Sequence, residues 1–338
     1  MSFYITTPIY YTNDIPHIGH AYTTIACDIL SRFNKLSNND VFFLTGTDEH
    51  GQKVEKAAKE ANLGAKNFVD KLSINFENLI PNLGCEINDF IRTTETRHIK
   101  SAQALWNKLI EKDQIYLSNY EGWYSIRDEA FYQENELIKI DGSFFTQNNS
   151  PVEWVKEESY FFKLSEWQDK LIDYYEKNPN SILPKSRYNE VLSFVKGGLK
   201  DLSISRTTFN WGVPVPNNSK HVMYVWIDAL CNYLTAIGYP DTNNNNYKKF
   251  WPATHIVGKD ILRFHAVYWP AFLMAAGIEP PKRIFAHGWW TNEGQKISKS
   301  LGNVIDPYDI INEYGLDQIR FFLFREVPFG NDGDFSKK

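Results

Sequence analysis

Two short motifs near opposite ends of the chain, His17-Ile18-Gly19-His20 and Lys296-Ile297-Ser298-Lys299-Ser300, carry side chains suited to holding a polyphosphate. Two histidines one helical turn apart at a helix start can aim ring N–H groups at a place where the helix N-terminus already favours negative charge. Two lysines on a loop of small residues supply point charges that can follow charge as it builds on an anion. Removing one such donor costs about 10²–10³ in rate. Each motif has a plain alternative. The histidines can cap the helix or face solvent, and two loop lysines are ordinarily a solvated pair. Gly19 is expected to leave room for a ligand to approach the backbone.

The elements around these motifs follow from hydrophobic pattern. Residues 3–7 read as a short buried strand, 8–16 as a loop containing Thr12-Asn13-Asp14, and 19–36 as an amphipathic helix. The apolar run Val41-Phe42-Phe43-Leu44 leads into Gly46-Thr47-Asp48-Glu49-His50-Gly51, and helix-like segments run on to Leu83. After residue 113 the texture changes to short aromatic strands at 120–124 and 130–132, helical segments at 166–177 and 188–197, and an extended exit at 210–216. The earlier rhythm resumes with a helix at 225–237, a strand at 254–257, a helix at 260–276 and a strand at 283–286. Asn243 to Asn246 is a polar loop tip. This order predicts an α/β protein with a doubly wound parallel sheet, split by an α+β insertion, with ligands at the carboxyl ends of the strands.

Bulk properties narrow the classes. The chain has 338 residues, 43% hydrophobic and 15% aromatic, enough for a sizeable core in about two domains. A formal net charge of -5 argues against a nonspecific nucleic-acid coat, while leaving room for a local basic patch. Cys27, Cys85 and Cys231 stand singly, without the spacing of a disulfide framework or a cysteine zinc site. No apolar run reaches the roughly 18 residues of a membrane span, and residues 3–7 open the chain without a charged leader. A cytoplasmic protein is expected.

The two end motifs resemble the HIGH and KMSKS signatures of class I aminoacyl-tRNA synthetases, and the rest of the chain is similar to the methionyl members in particular. The resemblance runs through Thr7-Pro8-Ile9-Tyr10-Tyr11-Thr12-Asn13, Gly46 to Gly51, Tyr120-Glu121-Gly122-Trp123-Tyr124, Tyr224-Val225-Trp226-Ile227-Asp228-Ala229-Leu230, Gly258-Lys259-Asp260-Ile261 and His287-Gly288-Trp289-Trp290. Several long matches in order are more specific than either signature alone. Ile297 departs from the usual Met, an apolar exchange that leaves the lysines in place.

That resemblance implies a Rossmann-type catalytic domain and a two-step reaction. L-Methionine is activated by ATP to methionyl-adenylate with loss of pyrophosphate, and the methionyl group then passes to tRNA(Met). It implies an amino-acid pocket of Ile9, Tyr11, Asp48, Trp226, Ala229, Leu230, Tyr233, Ile261, Phe264 and His265. Asp48 would hold the substrate ammonium, the Ile9 backbone N–H and the Tyr233 hydroxyl would address the thioether sulfur, and Trp226 and Phe264 would shape the wall. Sulfur recognition matters because one methylene discriminates by only about 1–3 kcal/mol. For Ala229, Leu230 and Phe264 an ordinary core role is the alternative.

On the nucleotide side it implies His17 and His20 at the triphosphate, Gly258 and Asp260 near the adenosine, Lys296 and Lys299 over the leaving pyrophosphate, and Mg2+ on the phosphates. Asp260 could equally cap a helix. Glu49 and His50 are more ordinary structural positions.

The implied division is 1–113 for the first half of the catalytic domain, 114–220 for the connective-peptide insertion, 221–300 for the second half and 301–338 for the start of a stem-contact region. The insertion lacks the zinc-binding cysteines of many relatives, so no zinc is expected. Family members continue into a helical anticodon-binding domain where this sequence stops. The expectation is a catalytic fragment or truncated chain, monomeric and off the membrane, that forms adenylate efficiently and charges tRNA poorly. Two rivals are a smaller nucleotidyltransferase sharing the His-x-Gly-His element and a noncatalytic RNA-binding relative of a synthetase. The first leaves the insertion and the aromatic pocket unexplained. The second leaves the retention of His17, His20, Asp48, Lys296 and Lys299 unexplained.

Overall fold

The computed structural model, which describes residues 1–12, 15–128, 130–140, 142–297 and 302–336, is built around a seven-stranded sheet whose strand pairs are all parallel. Strand β1 (Ser2–Thr6) lies at its centre, with Tyr4, Ile5 and Thr6 buried. A near-continuous apolar strand is what burial on both faces demands. On one side β1 pairs with β3 (Asp40–Asp48), and β4 (Asp89–Arg92) lies beyond it. The two-residue strand β2 (Tyr10–Tyr11) takes over from β1 along β3, setting Tyr11 opposite Asp48. Gly46 is opposite Ile91, and a Cβ there would sit 2.0 Å from the Ile91 carbonyl oxygen, so only glycine allows β3 and β4 to meet.

On the other side β1 pairs with Thr254–Gly258, which pairs with Arg283–His287. The chain thus winds outward in one direction and then returns to wind in the other. The reversal beside β1 opens a crevice at the carboxyl ends of the strands. Helix α1 (Ile18–Leu36) packs Ile18, Ala21, Tyr22, Ile25 and Ala26 inward, and it ends where Asn38 turns left-handed at φ 57°.

The doubly wound parallel sheet expected from the sequence is present, and four details depart from the pattern reading. The aromatic strand is longer than 120–124: Ile115–Ser125 pairs antiparallel with Glu153–Phe162 over ten residues, flanked by Ala130–Tyr132 and Leu202–Ser203. The range 114–220 also holds more than this antiparallel unit. Between helices Gln168–Lys177 and Lys185–Lys196, the strand Ile182–Leu183 forms the edge of the principal sheet beside Arg283–His287. Two residues are too few to carry a period. The helix expected at 225–237 is two short ones, Val225–Leu230 and Asn232–Thr235.

The segment expected as a helix over 260–276 winds in three ways: a 3₁₀ turn at Lys259–Ile261, a π turn at Phe264–Tyr268, and an α-helix at Trp269–Ala276. Pro270 is the physical reason. It has no N–H for the Ala266 carbonyl and its ring crowds that oxygen. The freed carbonyl accepts the Tyr175 hydroxyl instead.

The C-terminal segment is tied to α1 through buried Asp28. Its carboxylate accepts from Arg32 at 2.8 Å, Arg320 at 2.6 Å and the Glu86 amide at 3.2 Å. Helices Pro307–Tyr314 and Leu316–Arg325 lead to the strand Gly333–Phe335, which runs parallel to Trp290–Asn292.

Candidate active site

His17 is the N-cap of α1, and its Nδ1 accepts the Gly19 amide at 3.1 Å. The His17 amide in turn donates to His20 Nδ1 at 3.0 Å. A ring nitrogen that accepts cannot carry the proton, so both neutral rings hold it on Nε2. Desolvation pulls the His17 imidazole down to about 4 against the nearby Asp260 carboxylate, and it pulls His20 well below the ordinary range, helped by His17. At neutral pH the pair is therefore two uncharged N–H donors, with ring centroids 3.9 Å apart. Tyr10 and Phe76 meet the His20 ring in T-shaped contacts. A Cβ on Gly19 would meet His17 Cε1 at 2.9 Å. Gly19 therefore gives space to the His17 ring.

The Asp260 carboxylate works against the desolvation that lowers His17, His265 and His287. Its Oδ1 accepts the Trp289 indole N–H at 3.0 Å. It is no N-cap, since the 3₁₀ turn is capped at Gly258 without a side-chain bond. A Cβ on Gly258 would come within 2.5 Å of Asp260 Oδ1, so that glycine lets the carboxylate fold back over the strand end. Lys259 bonds Asp332 at 2.6 Å and lies 4.3 Å from the Trp289 ring centroid, while Asp332 accepts the Trp289 amide at 2.8 Å. Here half-buried Lys259 and the exposed Asp260 and Asp332 carboxylates surround the Trp289 indole.

Ile9, Tyr11, Trp226, Leu230, Tyr233, Ile261 and Phe264 share one apolar core. Trp226 and Phe264 stack face to face, centroids 3.7 Å apart and 6° from parallel. Ala229, Leu230 and Tyr233 are buried behind them, with Ile9, Tyr11 and Ile261 packed against the same core. His265 Nδ1 lies 3.0 Å from the Ile261 carbonyl and must donate to it, so Nε2 is the acceptor for the Tyr233 hydroxyl 2.7 Å away. Burial keeps His265 neutral by lowering it to about 4. The hydroxyl proton of Tyr233 is thereby committed to His265, and the oxygen offers a ligand its lone pairs. This modifies the expected contact to sulfur.

Asp48, 4% exposed, is carried to this region by the end of β3. Its backbone carbonyl accepts the Thr12 amide at 3.1 Å and the Thr12 hydroxyl at 3.2 Å. Its neighbours are anchored away from it. Glu49 accepts from Arg92 at 2.6 and 3.1 Å, from Thr47 at 2.8 Å and from Thr94 at 2.5 Å. His50 donates to Asp228 at 2.7 Å. The motif thus fixes the chain just after Asp48 by binding Glu49 and His50 to the protein.

Comparisons with known proteins agree with this geometry. The family model for class I tRNA synthetases (M) matches residues 3–144 and 141–338. The chain belongs to that family. Methionine–tRNA ligase of Rickettsia conorii is 63% identical over 337 residues, covering 99% of this chain and 66% of the relative. That of Mesorhizobium japonicum is 58% identical, covering 99% of this chain and 65% of the relative. The structure of Mycobacterium tuberculosis methionyl-tRNA synthetase in complex with methionyl-adenylate superposes with a TM-score of 0.98 at 52% identity, covering all of this chain and 67% of that one. The chain thus spans just under two thirds of the length of these curated relatives.

Of the site residues expected for a class I synthetase, His17 and His20 lie together, Gly258 lies against Asp260, and most of the pocket residues share one apolar core. The lysine loop is only partly in view. The backbone of Lys296 pairs with Thr291 in a hairpin, and Lys299 lies outside the described residues. Pattern reading did not find Trp289 and Asp332 as a unit, since they are far apart in sequence. It also passed over Asp228 and His98, where a buried acid and a buried histidine were the available signal.

Proposed function

We propose that this synthetase activates L-methionine with ATP, giving methionyl-adenylate and pyrophosphate, and that the methionyl group then passes to the terminal ribose of tRNA(Met). The observation that carries the proposal is the histidine pair at the head of α1, locked by backbone donors into the tautomer that leaves both Nε2–H groups free for phosphate oxygens. Relatives named as methionine–tRNA ligases and a neighbour holding methionyl-adenylate support the choice of substrate.

The methionine carboxylate attacks the α-phosphorus, the bond to the bridging oxygen breaks, and pyrophosphate leaves with that electron pair. No protein nucleophile is needed, so the rate rests on positioning and charge stabilisation. Asp48 anchors the ammonium, and Trp226, Phe264, Ala229 and Leu230 receive the side chain. Ile9, Tyr11 and Tyr233 close its far end. His17 and His20 hold the phosphates, Gly258 and Asp260 border the adenosine, and Lys296 and Lys299 act on the departing pyrophosphate. Mg2+ enters with ATP as part of the substrate, held mainly by phosphate oxygens and water. Among the described residues no group of three or more His, Cys, Asp or Glu is placed to hold a metal ion.

Trapping tests the proposal. The chain incubated with MgATP and methionine, desalted and examined by mass spectrometry should carry bound methionyl-adenylate. Its absence, with ATP unconsumed, would end the proposal.

A further inference from the structure

Asp228 is fully buried, with a charge that needs compensation, and no step of the proposed reaction uses it. Its Oδ2 accepts from His50 Nδ1 at 2.7 Å and its Oδ1 from His98 Nε2 at 2.6 Å. Three segments meet at this one carboxylate. His50 follows Asp48 by two residues at the end of β3, and His98 stands on the helix Thr96–Glu111. Asp228 itself sits on Val225–Leu230, the helix that carries Trp226, Ala229 and Leu230. That helix has only six residues, too few to hold its orientation by its own hydrogen bonds.

Among the described residues the carboxylate is a direct polar link between the helix and the residues that follow β3. Trp211 donates its indole N–H to the Glu49 carbonyl and accepts the Gly51 amide at 3.0 Å, and Thr93 receives the Glu49 amide at 3.0 Å. Those bonds fix the β3 end to segments other than the pocket helix. On the far side Thr235 contacts His98 Nδ1 at 3.5 Å.

We infer that Asp228 is a positioning residue for the amino-acid pocket, setting the distance between the ammonium anchor Asp48 and the apolar wall of Trp226, Ala229 and Leu230 through a His50–Asp228–His98 bridge. This inference rests on the proposed methionine activation. The bridge acts on the amino-acid side of the site and not on the nucleotide side, where His17 and Asp260 are held by bonds of their own.

The test exploits the two ring nitrogens. Asparagine places an amide N–H near the position of His Nδ1, and glutamine near that of Nε2, so His50→Asn and His98→Gln keep the donors while His50→Leu and His98→Met remove them. For each variant, thermal unfolding and the KM values for methionine and ATP are measured by ATP–pyrophosphate exchange. The donor-keeping variants should fold and stay within about threefold of the unaltered chain. The donor-lacking variants should raise the methionine KM about tenfold or more with the ATP KM within about twofold, a split that general loosening would not produce.

An unchanged methionine KM in folded His50→Leu and His98→Met would overturn the inference, as would a parallel rise in both KM values. If the donor-lacking variants do not fold, a tenfold rise in methionine KM for folded His50→Asn and His98→Gln overturns it equally. Exchange by the unaltered chain is read first. Its absence removes the functional proposal and is thus distinct from any failure of the bridge.

Discussion

Substituting His17 by asparagine separates the two tasks of that residue. Asparagine is among the best N-caps, and its Oδ1 can take over from Nδ1 as acceptor of the Gly19 amide, so the helix start should survive. What is lost is the Nε2–H proposed to face phosphate. A single donor aimed at developing charge in a partly dehydrated site contributes about 10²–10³ in rate, or about 3–4 kcal/mol of transition-state stabilisation. His17→Asn should therefore lower exchange at saturating methionine and ATP by that factor while leaving the melting temperature close to that of the unaltered chain.

His17→Ala loses the cap as well, an additional cost of about 1 kcal/mol in stability, which corresponds to a few degrees in melting temperature. The pair is read by initial rates of pyrophosphate exchange beside thermal unfolding. An asparagine variant with rates within threefold of the unaltered chain would refute the role given to Nε2–H. Equal losses of melting temperature in the two variants would refute the separation of cap from catalysis.

Three further outcomes follow from the same geometry. Asp48→Asn removes the anion proposed to hold the substrate ammonium, a hydrogen bond to a charged group worth about 1.5–3 kcal/mol; the methionine KM should rise ten- to hundredfold, and an unchanged value would move the ammonium site elsewhere. Gly46→Ala sets a methyl group 2.0 Å from the Ile91 carbonyl, backbone against backbone. It should cost about 3 kcal/mol or more in urea unfolding, and a variant as stable as the unaltered chain would contradict the register of β3 and β4.

The last is acid sensitivity. The buried His265 is held at about 4 against an ordinary 6.5, so the unfolded chain binds more protons between those limits and stability rises with pH across that window. Stability should be complete above pH 6.5 and fall as the pH drops to about 4, by about 3 kcal/mol from His265 alone, with His17 acting in the same direction. Asp228, held down at about 2 by its two histidine donors against desolvation, gives up its share only below the ordinary carboxylate range. Urea midpoints at stepped pH that show no decline until pH 4 would contradict this assignment.

The sheet was legible because its strands are long apolar runs broken by polar loops. Val41-Phe42-Phe43-Leu44 shows itself whatever its partners, whereas Ile182–Leu183 is recognisable only by the strand beside it. The broken helix after Gly258 hides for a related reason, since Pro270 marks a disturbance without saying that a π turn and the Tyr175 hydroxyl absorb it. At the site, residue type and order point to His17, His20 and Asp48, but not to their protonation. That the histidines are neutral, and which nitrogen holds the proton, depends on backbone amides that only the folded cap supplies. Asp228 is hardest of all, because its meaning lies in two histidines that approach from distant segments.

Methionine-dependent ATP–pyrophosphate exchange, with leucine, isoleucine and cysteine in parallel, bears most directly on the proposed chemistry. Exchange with methionine alone is the expected result, since it requires both the phosphate end of the crevice and the pocket beside Asp48. Exchange driven by another of these amino acids would contradict the pocket, and exchange with none would contradict adenylate formation itself.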